Sequence, residues 1–178
     1  MSLASGYDGL PLPSAGLRPL LLRSRRRIDR SLSHSVSVDN NCLNEFNNFR
    51  LSRGATKYII YKISDDKKSV EVDHVGTDSD YEAFREKLAE SKDAAGRPMP
   101  RYAVYDVEYD LGGGEGKRSK IIFISWVPSE TPTLWSMIYA STREVLKNAL
   151  NISTSIHADD KSDIEWKTVL REASGGKA

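Results

Sequence analysis

Cysteine is almost absent from this chain: Cys42 stands alone among 178 residues. That excludes an internal disulfide framework and any multi-cysteine zinc site, and makes a reducing compartment the expected setting. Histidine is scarce too. His34, His74 and His157 are scattered, with no two spaced to share one helix face, so no histidine-based metal centre is expected. No apolar run approaches the length that spans a bilayer, so the chain is not expected to be transmembrane. No internal repeat is visible, and no strong net charge, the formal balance being +1.

That balance hides an asymmetry. Before residue 35 lie Arg18, Arg23, Arg25, Arg26, Arg27 and Arg30 against Asp8 and Asp29. Six arginines against two aspartates leave an excess of four positive charges, so the remainder is net acidic by three to give the total of +1. The basic character belongs to the N-terminal stretch, and the rest gives no bulk reason to expect nucleic acid. Hydrophobic residues at 39% and charged residues at 29% are ordinary for a globular protein, and the length suits one domain with a tail.

Residues 1–34 mix Gly, Pro, Ser and Arg around one short apolar cluster, Leu20 to Leu22, without a period of 2 or 3.6. They read as a disordered basic extension. A secretory signal is disfavoured because most arginines follow the apolar cluster. A mitochondrial presequence fits the composition better, but Pro11, Pro13 and Pro19 would break its helix.

From Val36 the pattern becomes regular. Leu43, Phe46 and Phe49 follow Asp39 and Asn40 as a capped helix. Lys57 to Ile63 and Ser69 to Val75 read as a hairpin turned at Asp65-Asp66-Lys67-Lys68, with Val70, Val72 and His74 on one face of the second strand. Asp78 offers an N-cap to a helix carrying Tyr81, Phe84 and Leu88. Strands Tyr102 to Tyr109 and Ser119 to Trp126 flank a glycine loop. Pro132 then opens the longest helix, whose Leu134, Met137, Ile138, Val145, Leu146, Ala149 and Leu150 are spaced for one buried face. Trp166, Val169, Leu170 and Ala173 suggest a last short helix. The expected fold class is α/β (α+β): a central mixed β-sheet of about five to six strands flanked by helices on both faces. The domain is placed at 35–174 and a flexible tail at 175–178.

The glycine loop, Gly112 to Lys117, fails as a phosphate cradle. Leu111 stands where a P-loop needs its first glycine, Arg118 stands where it needs Ser or Thr, and both flanks are strands. Asp106, Glu108 and Asp110 have no neighbouring ligand in sequence and read as a solvated strand face. No catalytic residue, metal site or cofactor is expected, and the chain is not read as an enzyme.

Tyr102-Ala103-Val104-Tyr105-Asp106-Val107-Glu108-Tyr109, then Glu115-Gly116-Lys117-Arg118-Ser119-Lys120-Ile121-Ile122-Phe123, Trp126-Val127-Pro128 and Met137-Ile138-Tyr139-Ala140-Ser141-Thr142 together resemble the ADF/cofilin family. The likeness to this actin-depolymerising-factor homology domain runs from Ser35 to Ala173 and is greatest to fungal cofilins. It implies a non-catalytic protein that binds actin filaments and monomers, severs and depolymerises filaments, and acts without cofactor as a monomer. Differential affinity for filament states would drive the change. The implied location is the cytoplasm and actin cytoskeleton, with the nucleus or nuclear matrix as a further site.

By the same resemblance, the N-terminal contact with actin maps to Ser35 and Val36. The basic filament-binding cluster maps to Lys117, Arg118 and Lys120, the long-helix contact to Met137 with Arg143, Glu144 and Lys147, and a C-terminal contact to Arg171. Leu134 and Ser136 stand where the family usually carries basic residues, and Gly175 where an arginine is common. An exposed Trp135 between Leu134 and Ser136 would substitute apolar contact for charge. This motivates an alternative reading as an actin binder with weak severing. Ser33 or Ser35 takes the regulatory serine's place, where phosphorylation would add roughly −1.5 to −2 charge and repel an acidic partner. Met1-Ser2 is a normal family start, and the foreign residues that follow have the pattern of a translated intron. If native, Arg23 to Arg27 suits a phosphoinositide-rich membrane or nuclear import, which makes a membrane-associated adaptor a further alternative.

Overall fold

The computed structural model describes residues 36–52, 54–110 and 116–177. The extension, Ser33, Ser35 and the loop at 111–115 lie outside the described residues. The elements in order are β1 (Ser37–Val38), α1 (Asn40–Leu51), β2 (Tyr58–Ile63), β3 (Ser69–Gly76), α2 (Tyr81–Ala89), β4 (Arg101–Asp110), β5 (Lys117–Trp126), α3 (Thr133–Ala149), β6 (Ser155–Ala158), a 3-10 turn (Lys161–Ile164) and α4 (Trp166–Ser174).

The strands form a mixed six-stranded sheet in the order β1-β3-β2-β4-β5-β6. The outermost pairs, β1 with β3 and β5 with β6, are parallel, and the three inner pairs are antiparallel. Because side chains alternate along a strand, each central strand feeds two cores. Tyr58, Ile60, Ala103, Tyr105, Val107, Ile122 and Ile124 pack with Tyr81, Phe84 and Leu88 of α2 and Val169 and Ala173 of α4. Ile59, Tyr61, Ile63, Tyr102, Val104 and Phe123 pack with Cys42, Phe46 and Phe49 of α1 and Tyr139 and Leu146 of α3. The sheet is thus sandwiched between two pairs of helices, the architecture expected from sequence.

Four local readings change. The β2–β3 register slips between Ile60 and Tyr61, which face His74 and Val72. Asp73 is therefore an extra residue, and this bulge turns His74 to the α2 face, away from Val70 and Val72. The freed Asp73 carboxylate accepts a charged hydrogen bond from Arg101 Nε at 2.9 Å. The N-cap of α2 is Asp80, whose side chain accepts the Glu82 N–H at 3.0 Å. Asp78 instead accepts the Asp80 N–H at 2.9 Å, holding the cap from two residues upstream.

Pro132 is the N-cap of α3 and Thr133 its first helical residue. Last, the buried stripe of α3 is Tyr139, Thr142 and Leu146, continued by Leu150. Leu134, Met137 and Val145 face out instead. Thr142 tolerates burial because its hydroxyl donates to the Ile138 carbonyl at 2.8 Å within the helix.

Candidate functional site

Helix α3 is pinned to the sheet by two buried tyrosine contacts. The Ile63 N–H donates to Tyr139 Oη at 2.9 Å, and the Tyr102 hydroxyl donates to the Tyr139 carbonyl at 2.5 Å. Burial pushes the Tyr139 hydroxyl up to about 12, so it stays protonated. With this stripe turned inward, the helix offers solvent a second apolar stripe: Leu134 is 58% exposed, Met137 65% and Val145 48%. Large apolar side chains in a row on one helix face mark a contact surface.

Charged side chains flank Val145 at the C-terminal end of the stripe. Glu144 lies 2.9 Å from Lys147 and 3.4 Å from Arg143. The Lys147 hydrogen bond, with smaller help from Arg143, holds the Glu144 carboxyl below the usual carboxylate range. Met137, Arg143, Glu144 and Lys147 thus belong to one helix surface.

The other assigned residues sit elsewhere. Lys117, Arg118 and Lys120 lie at the start of β5, opposite Asp110, Tyr109 and Val107 of β4. Strand alternation places Arg118 and Lys120 on the α4 side and Lys117 on the α3 side. Lys117 and Lys120 form no ion pair among the described residues. Arg171 lies in the last turn of α4, with Glu172 at 3.6 Å. The basic residues thus divide between the two sides of the sheet, and Arg118, Lys120 and Arg171 share the side away from α3.

Val36 is not on either surface. It is 5% exposed and belongs to the core beneath α1 and α3, because pairing of β1 with β3 turns it inward. Trp135 does not stand free in solvent either. It is half-buried against the same core, 6.4 Å from the Tyr139 ring, and Lys67 Nζ sits 4.8 Å over its ring.

Gly175 has a structural reason to be glycine: it caps α4 in the left-handed conformation, φ 64°, with its N–H bonded to the Arg171 carbonyl. Cys42 offers no chemistry at this surface. Its thiol is buried, lies 3.2 Å from the Val70 carbonyl it donates to, and is pushed up to about 12 by burial with Asp39 and Glu71 nearby. No cluster of three or more metal-ligating side chains occurs among the described residues, and none of their helices is long and apolar enough to cross a membrane.

Comparison with known proteins places this geometry. Residues 35–174 match the family model of the cofilin/tropomyosin-type actin-binding proteins. A cofilin of Gibberella zeae is 42% identical over 148 residues, covering 80% of this chain and 96% of that one. A Saccharomyces cerevisiae cofilin is 38% identical over 142 residues, covering 79% and 94%. Among solved structures, Streptomyces griseoflavus cofilin superposes with a TM-score of 0.68 at 31% identity, covering 79% of this chain and 98% of that one. Actin depolymerization factor 2 of Plasmodium berghei gives 0.64 at 25% identity, with 78% and 96% covered. The two-sided helix–sheet sandwich, the outward apolar stripe of α3 and these matches carry one conclusion: this chain belongs to the cofilin/tropomyosin-type actin-binding protein family.

Proposed function

We propose that this protein binds actin filaments and monomers, depolymerises filaments and severs them, working as a stoichiometric monomer without catalysis or cofactor at the actin cytoskeleton. The observation that carries the reading is the exposed stripe Leu134, Met137 and Val145 on a helix already satisfied on its inner face. An apolar stripe of this kind is stabilised by insertion into a partner's cleft, with Arg143 and Lys147 supplying charged contacts at its margin. The cations on the other side of the sheet, Arg118, Lys120 and Arg171, supply a second contact, to a neighbouring filament subunit. Two contacts on opposite sides of a rigid sheet let one molecule bridge subunits and favour the filament geometry that fits both. Phosphorylation of Ser33 or Ser35 would add negative charge to the N-terminal segment and repel an acidic partner.

Co-sedimentation with actin filaments, paired with imaging of filament length, tests this. The full chain is expected to pellet with filaments and to shorten them. The triple substitution Lys117→Glu, Arg118→Glu and Lys120→Glu should abolish pelleting while leaving the circular dichroism spectrum unchanged. Failure of the native chain to pellet would sink the reading. Pelleting without shortening would select the weak-severing alternative, for which the uncharged Leu134 and Ser136 are the motive. Binding to phosphoinositide vesicles that disappears with residues 1–32 would support the membrane-associated role.

A further inference from the structure

The first half of α3 carries its apolar stripe without any charge of its own: Thr133 to Thr142 contains no Lys, Arg, Asp or Glu. A cation reaches it from another element. The turn between β2 and β3 places Lys67 Nζ 4.8 Å from the centroid of the Trp135 ring, within the range where an ammonium is attracted to the face of an indole. Trp135 is in turn seated on the core beside Tyr139, so the ring is a fixed platform and the charge above it is held at the N-terminal half of α3, the same half that exposes Leu134 and Met137.

The turn is built to hold that lysine. Lys67 has φ 61°, the left-handed region that disfavours a lysine relative to glycine or asparagine. Its N–H donates to the Ser64 carbonyl at 2.8 Å. Ser64 Oγ donates to Asp66 at 2.6 Å and accepts the Lys68 and Ser69 N–H groups at 3.3 and 3.1 Å. Asp66 is used inside the turn, accepting the Lys68 N–H at 3.2 Å as well, and these bonds hold its carboxyl below its usual range. Asp65 borders a separate groove with Lys62, Lys92 and Arg97, which neither Lys67 nor Trp135 lines. At the root of the turn, the Ile63 N–H to Tyr139 bond ties β2 to the same helix. Lys67 is thus the charge of this turn directed to α3.

Resting on the actin-binding reading, we propose that the β2–β3 turn is part of the actin-binding surface. Lys67, seated over Trp135, presents the cation that meets an actin carboxylate while Leu134 and Met137 fill the adjoining apolar cleft. The residue acts as a preorganised charge: its rotamer is set by the ring before the partner arrives, which reduces the ordering cost of contact.

Filament co-sedimentation of the full chain at two ionic strengths, with thermal unfolding of each variant, tests the proposal. Lys67→Gln should weaken filament binding by roughly three- to tenfold at low salt and flatten its salt dependence. Its unfolding midpoint should stay within about 2 °C of the native chain. Lys67→Arg, which keeps charge and stacking, should bind like the native chain, and Trp135→Leu should lose part of the affinity by releasing the cation. If Lys67→Gln binds with native affinity and native salt dependence while the native chain pellets, the proposal is overturned, whether or not its midpoint falls. If the native chain itself does not pellet, the actin reading falls and takes this proposal with it.

Discussion

The ring of Tyr58 occupies the space that a side chain at position 76 would fill: a Cβ on Gly76 would come 2.0 Å from Tyr58 Cζ and 2.3 Å from Cε1. The two residues face each other across β2 and β3. The same ring touches Phe84 of α2, with centroids 4.8 Å apart, and stacks with Tyr105 of β4 at 6.4 Å. Glycine at the end of β3 is therefore what lets an aromatic cluster close over the sheet on the α2 side.

Gly76→Ala should force the Tyr58 ring off its site and destabilise the protein by about 1–3 kcal/mol, as overpacking of a filled core does. Urea unfolding would register a lower midpoint at unchanged slope. Tyr58→Leu in the alanine background should recover part of the loss, because the clash is with the ring itself. A native midpoint for Gly76→Ala would show that the ring has room to move.

The Asp73 bulge sets up a second prediction, in pH. It brings His74 to the α2 side, where Nε2 lies 2.8 Å from Lys87 Nζ and the ring 5.8 Å from that of Tyr58. Partial burial and the Lys87 charge lower the His74 pKa, and Asp73 opposes them weakly. Between the lowered folded value and the unfolded value of about 6.5, the unfolded chain binds more protons, so stability rises with pH. The contribution of neutral His74 is complete above the unfolded value and is lost as pH falls through that window. Denaturation midpoints from pH 7.5 down to 5 should fall more steeply for the native chain than for His74→Gln. Parallel profiles would remove His74 as the cause.

Much of the fold was legible from periodicity because the central strands are aromatic and β-branched and the first two helices open on aspartate caps. The elements that escaped are those too short to show a period. β1 is two residues and β6 four, and both are held by parallel pairing to distant strands rather than by a turn. The bulge escaped because Val70-Glu71-Val72-Asp73-His74 alternates cleanly in sequence while the register shifts in the sheet.

On α3 the difficulty was excess. Two apolar stripes run along it, and hydrophobicity alone does not say which one faces in. Tyr139, with its hydroxyl bonded to the sheet, decides it, and the rejected stripe becomes the candidate surface. The resemblance points to α3, β5 and α4 as carriers of the proposed contact residues, but not to their division between two sides of the sheet. Nor did it show the burial of Val36 or the cation over Trp135, which depend on long-range pairing.

Gly175 separates the structural role of a residue from its functional one. Its left-handed backbone closes α4, and the Gly175 and Gly176 N–H groups both reach the Arg171 carbonyl, the latter at 2.9 Å. Any residue with a Cβ at φ 64° is disfavoured, so Gly175→Arg and Gly175→Ala should each cost about 1 kcal/mol of stability. Their effects on filaments should diverge. Arginine adds a cation at the end of α4, on the side of the sheet that carries Arg171, Arg118 and Lys120, so Gly175→Arg should tighten co-sedimentation at low salt even as it lowers the unfolding midpoint. Gly175→Ala should lower the midpoint and leave affinity where it was. Equal affinities for the two variants would mean that the α4 side of the sheet does not meet the filament, and that binding rests on α3 and its neighbouring turn.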